Sequence, residues 1–117
     1  MDIAKSARIS FRTKLDKTFP QGIHIAEESY LASGVIVLSH DYCRSIRTDT
    51  YIGKQCFIGV NAIIMCGITV GDNVIVGSGA IITKNVPSNC IVAGNPAKII
   101  RTGIQTKKFG QLSDEFL

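Results

Sequence analysis

The chain has 117 residues, room for one domain, and its 45% apolar content includes only 7% aromatics and no Trp, so its core has to be built from Ile, Val and Ala. A net charge of +4, from 13 Lys/Arg against 9 Asp/Glu, comes with no RNA-binding motif or aromatic stacking run and gives no ground for nucleic acid. The four cysteines form no CxxC pair and no His/Cys cluster of zinc spacing, and no 18-residue apolar span or apolar leader core occurs; a cytoplasmic protein with free thiols, no metal and no integral membrane segment is expected.

In chain order, an aliphatic residue returns at every sixth position. Ile3, Ile9 and Leu15 come first, with Ala7 and Thr13 between them as inward residues. The next step, Leu15 to Ile25, carries four extra residues around Thr18-Phe19-Pro20-Gln21-Gly22, a corner insertion. Ile25, Leu31 and Val37 follow. The step to Ile52 carries nine extra residues, which predicts a protruding loop near 42–51. Ile52, Ile58, Ile64, Val70, Val76 and Ile82 then run without interruption. A helix repeats its face at 3.6 residues and a strand at 2, so a period of six describes a short strand plus a corner, repeated as a solenoid. Three hexads make one triangular coil. Ile52 then stacks under Val70, Ile58 under Val76 and Ile64 under Ile82, about 4.8 Å apart.

Three residues after these marks stand Gly34, Asn61, Gly67, Asn73, Gly79 and Asn85, types suited to a positive φ at a corner. Four residues after them stand Val35, Cys56, Ala62, Ile68, Val74, Ala80 and Val86, which face inward. Pro87 and the run 91–98 mark the exit from the prism. Residues 1–101 thus form the repeat domain and 102–117 a tail, in which Phe109, Leu112 and Phe116 can share one helical face or the chain can lie as an extended arm on a neighbouring subunit. So short a solenoid needs protection at its ends, which oligomerisation supplies.

Among residues able to carry chemistry, His40 falls at a corner position immediately before the long loop. It reads either as a corner residue tolerant of positive φ or as an imidazole facing a substrate, able to take a proton near neutral pH. Asp41 occupies an inward slot, where an unpartnered carboxylate is costly, so the coil is expected to open there and leave Asp41 free to support the site. His24, between Ile23 and Ile25, is read as a surface residue. Arg44 and Arg47 on the loop could meet an acidic or phosphorylated acceptor or simply be solvated.

The run Ile52-Gly53-Lys54-Gln55-Cys56-Phe57-Ile58-Gly59-Val60-Asn61-Ala62, with Ile68-Thr69-Val70-Gly71-Asp72-Asn73, Val76-Gly77-Ser78-Gly79-Ala80-Ile81-Ile82-Thr83-Lys84 and Ala93-Gly94-Asn95-Pro96-Ala97-Lys98-Ile99-Ile100-Arg101, closely resembles the hexapeptide-repeat acyltransferases. Ser39-His40-Asp41-Tyr42 looks like the active-site segment of their sugar O-acetyltransferases, especially those of exopolysaccharide synthesis. The resemblance implies an all-β left-handed parallel β-helix, a homotrimer, and acetyl-coenzyme A in grooves between subunits. His40 would be the general base. Backbone groups at Gly59, Val60, Gly77 and Ser78 would meet the pantetheine arm, Thr83 would lie beside it, and Lys84, Lys98 and Arg101 would meet the phosphates. The sequence departs from the galactoside and maltose members in lacking their opening helical segment and in placing Arg12 where they place a sugar-binding Asn, so the acceptor does not carry over. The expected activity is acetyl-coenzyme A-dependent O-acetylation of a saccharide in surface polysaccharide synthesis; the alternatives are N-acylation of an amino sugar or other amine, and a non-catalytic trimeric binding solenoid.

Overall fold

The hexad period becomes a three-sided prism in the computed structural model, which describes residues 1–117. The first coil contains β1 (Asp2–Ile3), β2 (Arg8–Ile9) and β3 (Lys14–Leu15). The second contains β4 (Ile23–Ile25), β5 (Tyr30–Leu31) and β6 (Ile36–Val37), followed by the hairpin strands β7 (His40–Asp41) and β8 (Ile46–Arg47). β9 (Thr50–Ile52), β10 (Phe57–Ile58) and β11 (Ile63–Ile64) form the third coil. β12 (Thr69–Val70), β13 (Ile75–Val76) and β14 (Ile81–Ile82) form the fourth. Two long strands, β15 (Cys90–Gly94) and β16 (Ala97–Thr102), end the series.

Parallel pairing of successive coils builds three sheets. The first is ordered β1-β4-β9-β12, the second β2-β5-β10-β13-β15-β16 and the third β3-β6-β11-β14. The register follows the sequence marks: Ile3, Ile25, Ile52 and Val70 form one ladder, Ile9, Leu31, Ile58 and Val76 another, and Leu15, Val37, Ile64 and Ile82 a third. The nine marks from Ile25 to Ile82 are all 2% exposed or less. Val35, Cys56, Ala62, Ile68, Val74, Ala80 and Val86 fill the prism between the ladders, all of them buried. Burial of each larger aliphatic side chain contributes about 1.5–3 kcal/mol. Ile3, Ile9 and Leu15 are half-buried because no coil lies beneath them. Burial pushes the Cys56 thiol up to about 12, which leaves it a small hydrophobe without thiolate reactivity.

Gly34, Asn61, Gly67, Asn73 and Gly79 turn their corners at positive φ. Gly34 is needed twice over, because a Cβ there would also overlap the Asn61 carboxamide of the next coil. Two corners of other composition, Glu28 at φ 57° and Gln55 at φ 52°, adopt the same turn. Asn85 does not: its carboxamide oxygen instead accepts the Thr69 N–H at 2.8 Å, satisfying the sheet edge as the chain leaves the regular coil for Pro87.

The end of the chain departs from the sequence reading. The run 91–98 does not leave the prism; β15 extends the second sheet, pairing Val92 with Val76, and β16 folds back on it antiparallel. Residues 104–116 form no helix. They descend the corner between the first and second sheets of the same chain, with short 3-10 turns at Lys108–Gly110 and Asp114–Phe116. The corner takes the backbone groups that a helix would use: the Ile104 N–H goes to the Asn89 carbonyl at 3.2 Å and the Phe109 N–H to the Glu28 carbonyl at 2.8 Å. Ile104 is fully buried, the Thr106 hydroxyl donates to the Gln55 carbonyl at 2.7 Å, and the Arg8 guanidinium lies 4.2 Å from the Phe109 ring centre. No helix in the chain is long and apolar enough to cross a membrane.

Candidate active site

Both interruptions of the repeat fall on one corner of the prism, where the third sheet passes to the first. The four extra residues of the first coil follow β3 and turn through Pro20–Gly22. The nine extra residues of the second coil form the protruding hairpin, in which β7 pairs antiparallel with β8. The sequence placed His40 at a corner with positive φ. It lies instead in strand β7, with a side chain 29% exposed, and its backbone is not among those at positive φ. The reason is local: Thr48 donates its N–H to the Ser39 carbonyl at 2.9 Å, so the chain continues into a hairpin ladder where a regular coil would turn.

The partner of His40 is Asp16, a residue the sequence reading did not single out. Its Oδ2 lies 2.5 Å from His40 Nδ1. Asp16 itself is only 7% exposed. It also accepts the Ser39 N–H at 2.9 Å and the Thr18 N–H at 2.8 Å. Burial works to raise its pKa, but the Ser39 N–H, the His40 imidazole and the Thr18 N–H together hold it below the ordinary carboxylate value. An ionised carboxylate only accepts, so in the neutral imidazole the proton sits on Nδ1 and Nε2 keeps a free lone pair. Ser39 is fully buried and uses every polar group: N–H to Asp16, hydroxyl to the Phe19 carbonyl at 2.5 Å, carbonyl to Thr48. It therefore ties the insertion, the carboxylate and the hairpin root into one unit. The signal for Asp16 was present in the spacing. Leu15 pairs with Val37, so Asp16 stacks beneath Leu38, two residues before His40.

His40 opens onto a cavity of about 700 Å³ that Thr18, Asp41, Ile46 and Arg47 also line. Asp41 shares the cavity, but its carboxylate bonds Arg44 and not His40. That carboxylate accepts the Arg44 N–H at 3.2 Å and Arg44 Nε–H at 2.8 Å; the Arg44 backbone N–H above all, helped by the guanidinium, holds its pKa below the ordinary value against the opposing effect of desolvation. Arg44 is thereby occupied, whereas Arg47 forms no ion pair and faces the cavity.

The residues expected to meet the acyl donor are divided between corners of the prism. Gly59, Val60, Gly77 and Ser78 form the corner between the second and third sheets, one full sheet away from His40. There the coils approach so closely that a Cβ on Gly59 would stand 2.7 Å from the Ser78 nitrogen. Val60 is 44% exposed at this corner. Thr83 and Lys84 share the His40 corner, two coils further on, beside a small hollow of about 150 Å³ that Val92 and Ala97 also line. Lys98 is exposed on β16, and Arg101, on the same strand, donates to the Phe116 carbonyl at 3.3 Å. A single chain thus carries His40 and the Gly59, Val60, Gly77 and Ser78 group on different edges, with Thr83 and Lys84 on the His40 edge. His24, read as a simple surface residue, is more constrained: Nδ1 lies 3.1 Å from Asp2, Nε2 2.8 Å from Asp49, and the ring stacks on Tyr51 at 4.4 Å.

Comparison with known proteins agrees with this architecture. Residues 50–84 match the family model described as the hexapeptide repeat of succinyl-transferase. A chloramphenicol acetyltransferase of Agrobacterium fabrum is 57% identical over 53 residues, which is 45% of this chain and 25% of that protein. A maltose O-acetyltransferase from Clostridium difficile 630 superposes with a TM-score of 0.67 at 25% identity, over 86% of this chain and 68% of the other. A serine acetyltransferase from Brucella abortus strain S19, solved in complex with coenzyme A, superposes with a TM-score of 0.63 at 26% identity, over 88% of this chain and 41% of the other. The chain spans 60% or less of the length of the curated relatives it matches. With its coil register and these likenesses, the fold is the left-handed parallel β-helix of hexapeptide repeats, and the chain is similar to acetyltransferases built on it.

Proposed function

We propose that this protein transfers an acetyl group from acetyl-coenzyme A to a saccharide hydroxyl, with His40 as general base. The observation that carries the reading is the His40–Asp16 pair opening onto the hairpin cavity, with Nε2 unoccupied on the cavity side. The donor supplies an activated acetyl thioester. Nε2 takes the proton of the acceptor hydroxyl as its oxygen forms the new ester bond to the acetyl carbon. The carbon–sulfur bond breaks, and the proton held at Nε2 leaves with the departing thiol. Asp16 fixes the tautomer and offsets the positive charge that His40 carries during the transfer, the role of a carboxylate behind a catalytic imidazole. Peptide N–H groups at the donor corner would stabilise the developing oxyanion.

The donor assignment rests on likeness to acetyltransferases, one of them solved with coenzyme A, and the saccharide on the maltose enzyme. Val60 and Ser78 would face the pantetheine arm, Thr83 would lie beside it, and Lys84, Lys98 and Arg101 would meet the phosphates. Because the donor corner and His40 stand on different edges of one prism, a complete site would join one subunit's His40 corner to a neighbour's donor corner in a homotrimer. Residues 1–101 would form the catalytic domain and 102–117 its strap.

The test is thiol release from acetyl-coenzyme A across a panel of saccharides and amino sugars, with light scattering of the same samples. The expected result is acceptor-dependent thiol release by a trimer, with the acetyl group recovered as an ester. A stable monomer at micromolar concentration would remove the shared site. Acetyl recovered only on nitrogen would assign the activity to amines, and no acceptor-dependent release would leave a binding solenoid.

A further inference from the structure

Sorting the charges of the hairpin narrows the acceptor. Arg44 and Arg47 are equivalent in the sequence but not in the structure. Arg44 sits at the turn and is held by Asp41 at 2.8 Å. Arg47 stands in β8 directly opposite His40 in the antiparallel pair. Residues opposite each other in such a pair project from the same face, with Cβ atoms about 5 Å apart. His40 and Arg47 line one cavity, and Asp41, the one carboxylate lining it, is already satisfied by Arg44. Asp16 lies buried behind the imidazole and is satisfied by it and by two backbone N–H groups. The hairpin therefore presents a proton acceptor and an unneutralised guanidinium side by side.

We infer that the acceptor is an anionic saccharide, carrying a carboxylate or phosphate that Arg47 binds while His40 activates a hydroxyl on the same or the adjoining ring. A guanidinium offers a planar fork of donors that matches either oxyanion with two parallel hydrogen bonds. The spacing of the two residues suits a hydroxyl and an anionic substituent on one sugar unit. This inference rests on the proposed acyl transfer for its consequence in turnover, but not for its binding consequence.

The experiment compares matched acceptors: a methyl hexoside, the corresponding methyl hexuronide and the corresponding hexose phosphate. Steady-state turnover is followed with wild type and Arg47→Gln, and calorimetry follows binding of the same sugars without donor. The expected result is a preference for one or both anionic sugars of about tenfold or more in kcat/KM, the size of one charge-assisted interaction. In Arg47→Gln that preference collapses through KM for the anionic sugar. The arm that responds identifies carboxylate or phosphate as the source. If no sugar is acetylated, the calorimetric arm decides: Arg47-dependent binding of an anionic sugar upholds the inference and assigns the failure to the acyl-transfer reading. Equal use or binding of neutral and anionic sugars by wild type, or a preference that survives Arg47→Gln, overturns it.

Discussion

The two histidines sit 16 positions apart and both face carboxylates, yet their surroundings prepare them for different work. His24 lies on the outer face of the first sheet with both ring nitrogens engaged, Nδ1 by Asp2 and Nε2 by Asp49, and with its ring against Tyr51. A neutral imidazole can donate from one nitrogen only, so two carboxylates favour the doubly protonated cation. The Asp49 contact is the main cause that raises its pKa, against burial and with help from Asp2. His40 has a single carboxylate, buried beneath it, and a second nitrogen open to a cavity. One arrangement ties β1 and the hairpin root to the second coil; the other leaves a lone pair for a substrate. A carboxylate at each nitrogen makes a clamp, and a carboxylate at only one leaves the other nitrogen free, as the proposed base requires.

Converting the base into the wrong tautomer is the strongest way to break that distinction. Asp16→Asn replaces an acceptor that serves Ser39, Thr18 and His40 with a group that has only one acceptor oxygen. The amide N–H2 can then donate to Nδ1 and drive the His40 proton onto Nε2, and turnover falls by about 100-fold or more. A steady-state assay on the intact protein checks this, with circular dichroism to confirm the fold. The same variant reports on acid stability. Asp16 has a lowered pKa when folded, so its contribution is complete above its ordinary value of 3.8 and is lost as pH falls through the folded value. Wild type therefore loses more stability than Asp16→Asn on acidification below that point.

Loosening the unit that holds the base gives a smaller effect. Ser39→Ala removes the hydroxyl bond to the Phe19 carbonyl but keeps the Ser39 N–H on Asp16. It is expected to lower kcat by roughly tenfold with KM for the donor unchanged, at a stability cost of about 0.5–1.5 kcal/mol for the lost hydrogen bond, because the Phe19 carbonyl still accepts the Gly22 N–H at 3.1 Å. Kinetics and urea unfolding of one preparation separate the two. His24→Asn is the smallest perturbation and the complement of the others. Turnover is expected to stay within about twofold, and stability to change by about 1 kcal/mol or less, because the ion pairs are largely exposed. The sign of its pH dependence is opposite to that of Asp16. A raised folded pKa gives stability that is complete below 6.5 and disappears as pH rises through the folded value. Thermal melting between neutral and mildly alkaline pH should slope downward in wild type and flatten in His24→Asn.

The prism was legible because its information is periodic. Each ladder position repeats, so Ile64 and Ile82 identify one another, and two gaps in the count announce the insertion and the hairpin. The position of His40 at the root of the hairpin was legible for the same reason, standing where the count breaks. Its partner Asp16 was less visible because the link crosses 24 residues and depends on stacking one coil on the next after a four-residue insertion. Asp41 stood in a suggestive slot, but a local bond to Arg44, three residues on, claimed it. The tail misled because apolar residues at helical spacing also fit an extended strap: Phe109 meets Arg8 and Tyr30 from a backbone at φ 62°, which no helix permits. Asn85 shows that a residue suited to positive φ can equally spend its carboxamide on a neighbouring strand.

The central claim is that His40 takes the proton during acetyl transfer, and single-turnover kinetics of His40→Asn tests it most directly. Asn retains a polar side chain of similar reach but cannot accept the proton. The account predicts that the rate constant for acetyl transfer falls by about 100-fold or more, while coenzyme A affinity, assembly and melting temperature remain close to wild type. A rate constant within a few-fold of wild type, measured where the chemical step limits, would contradict it.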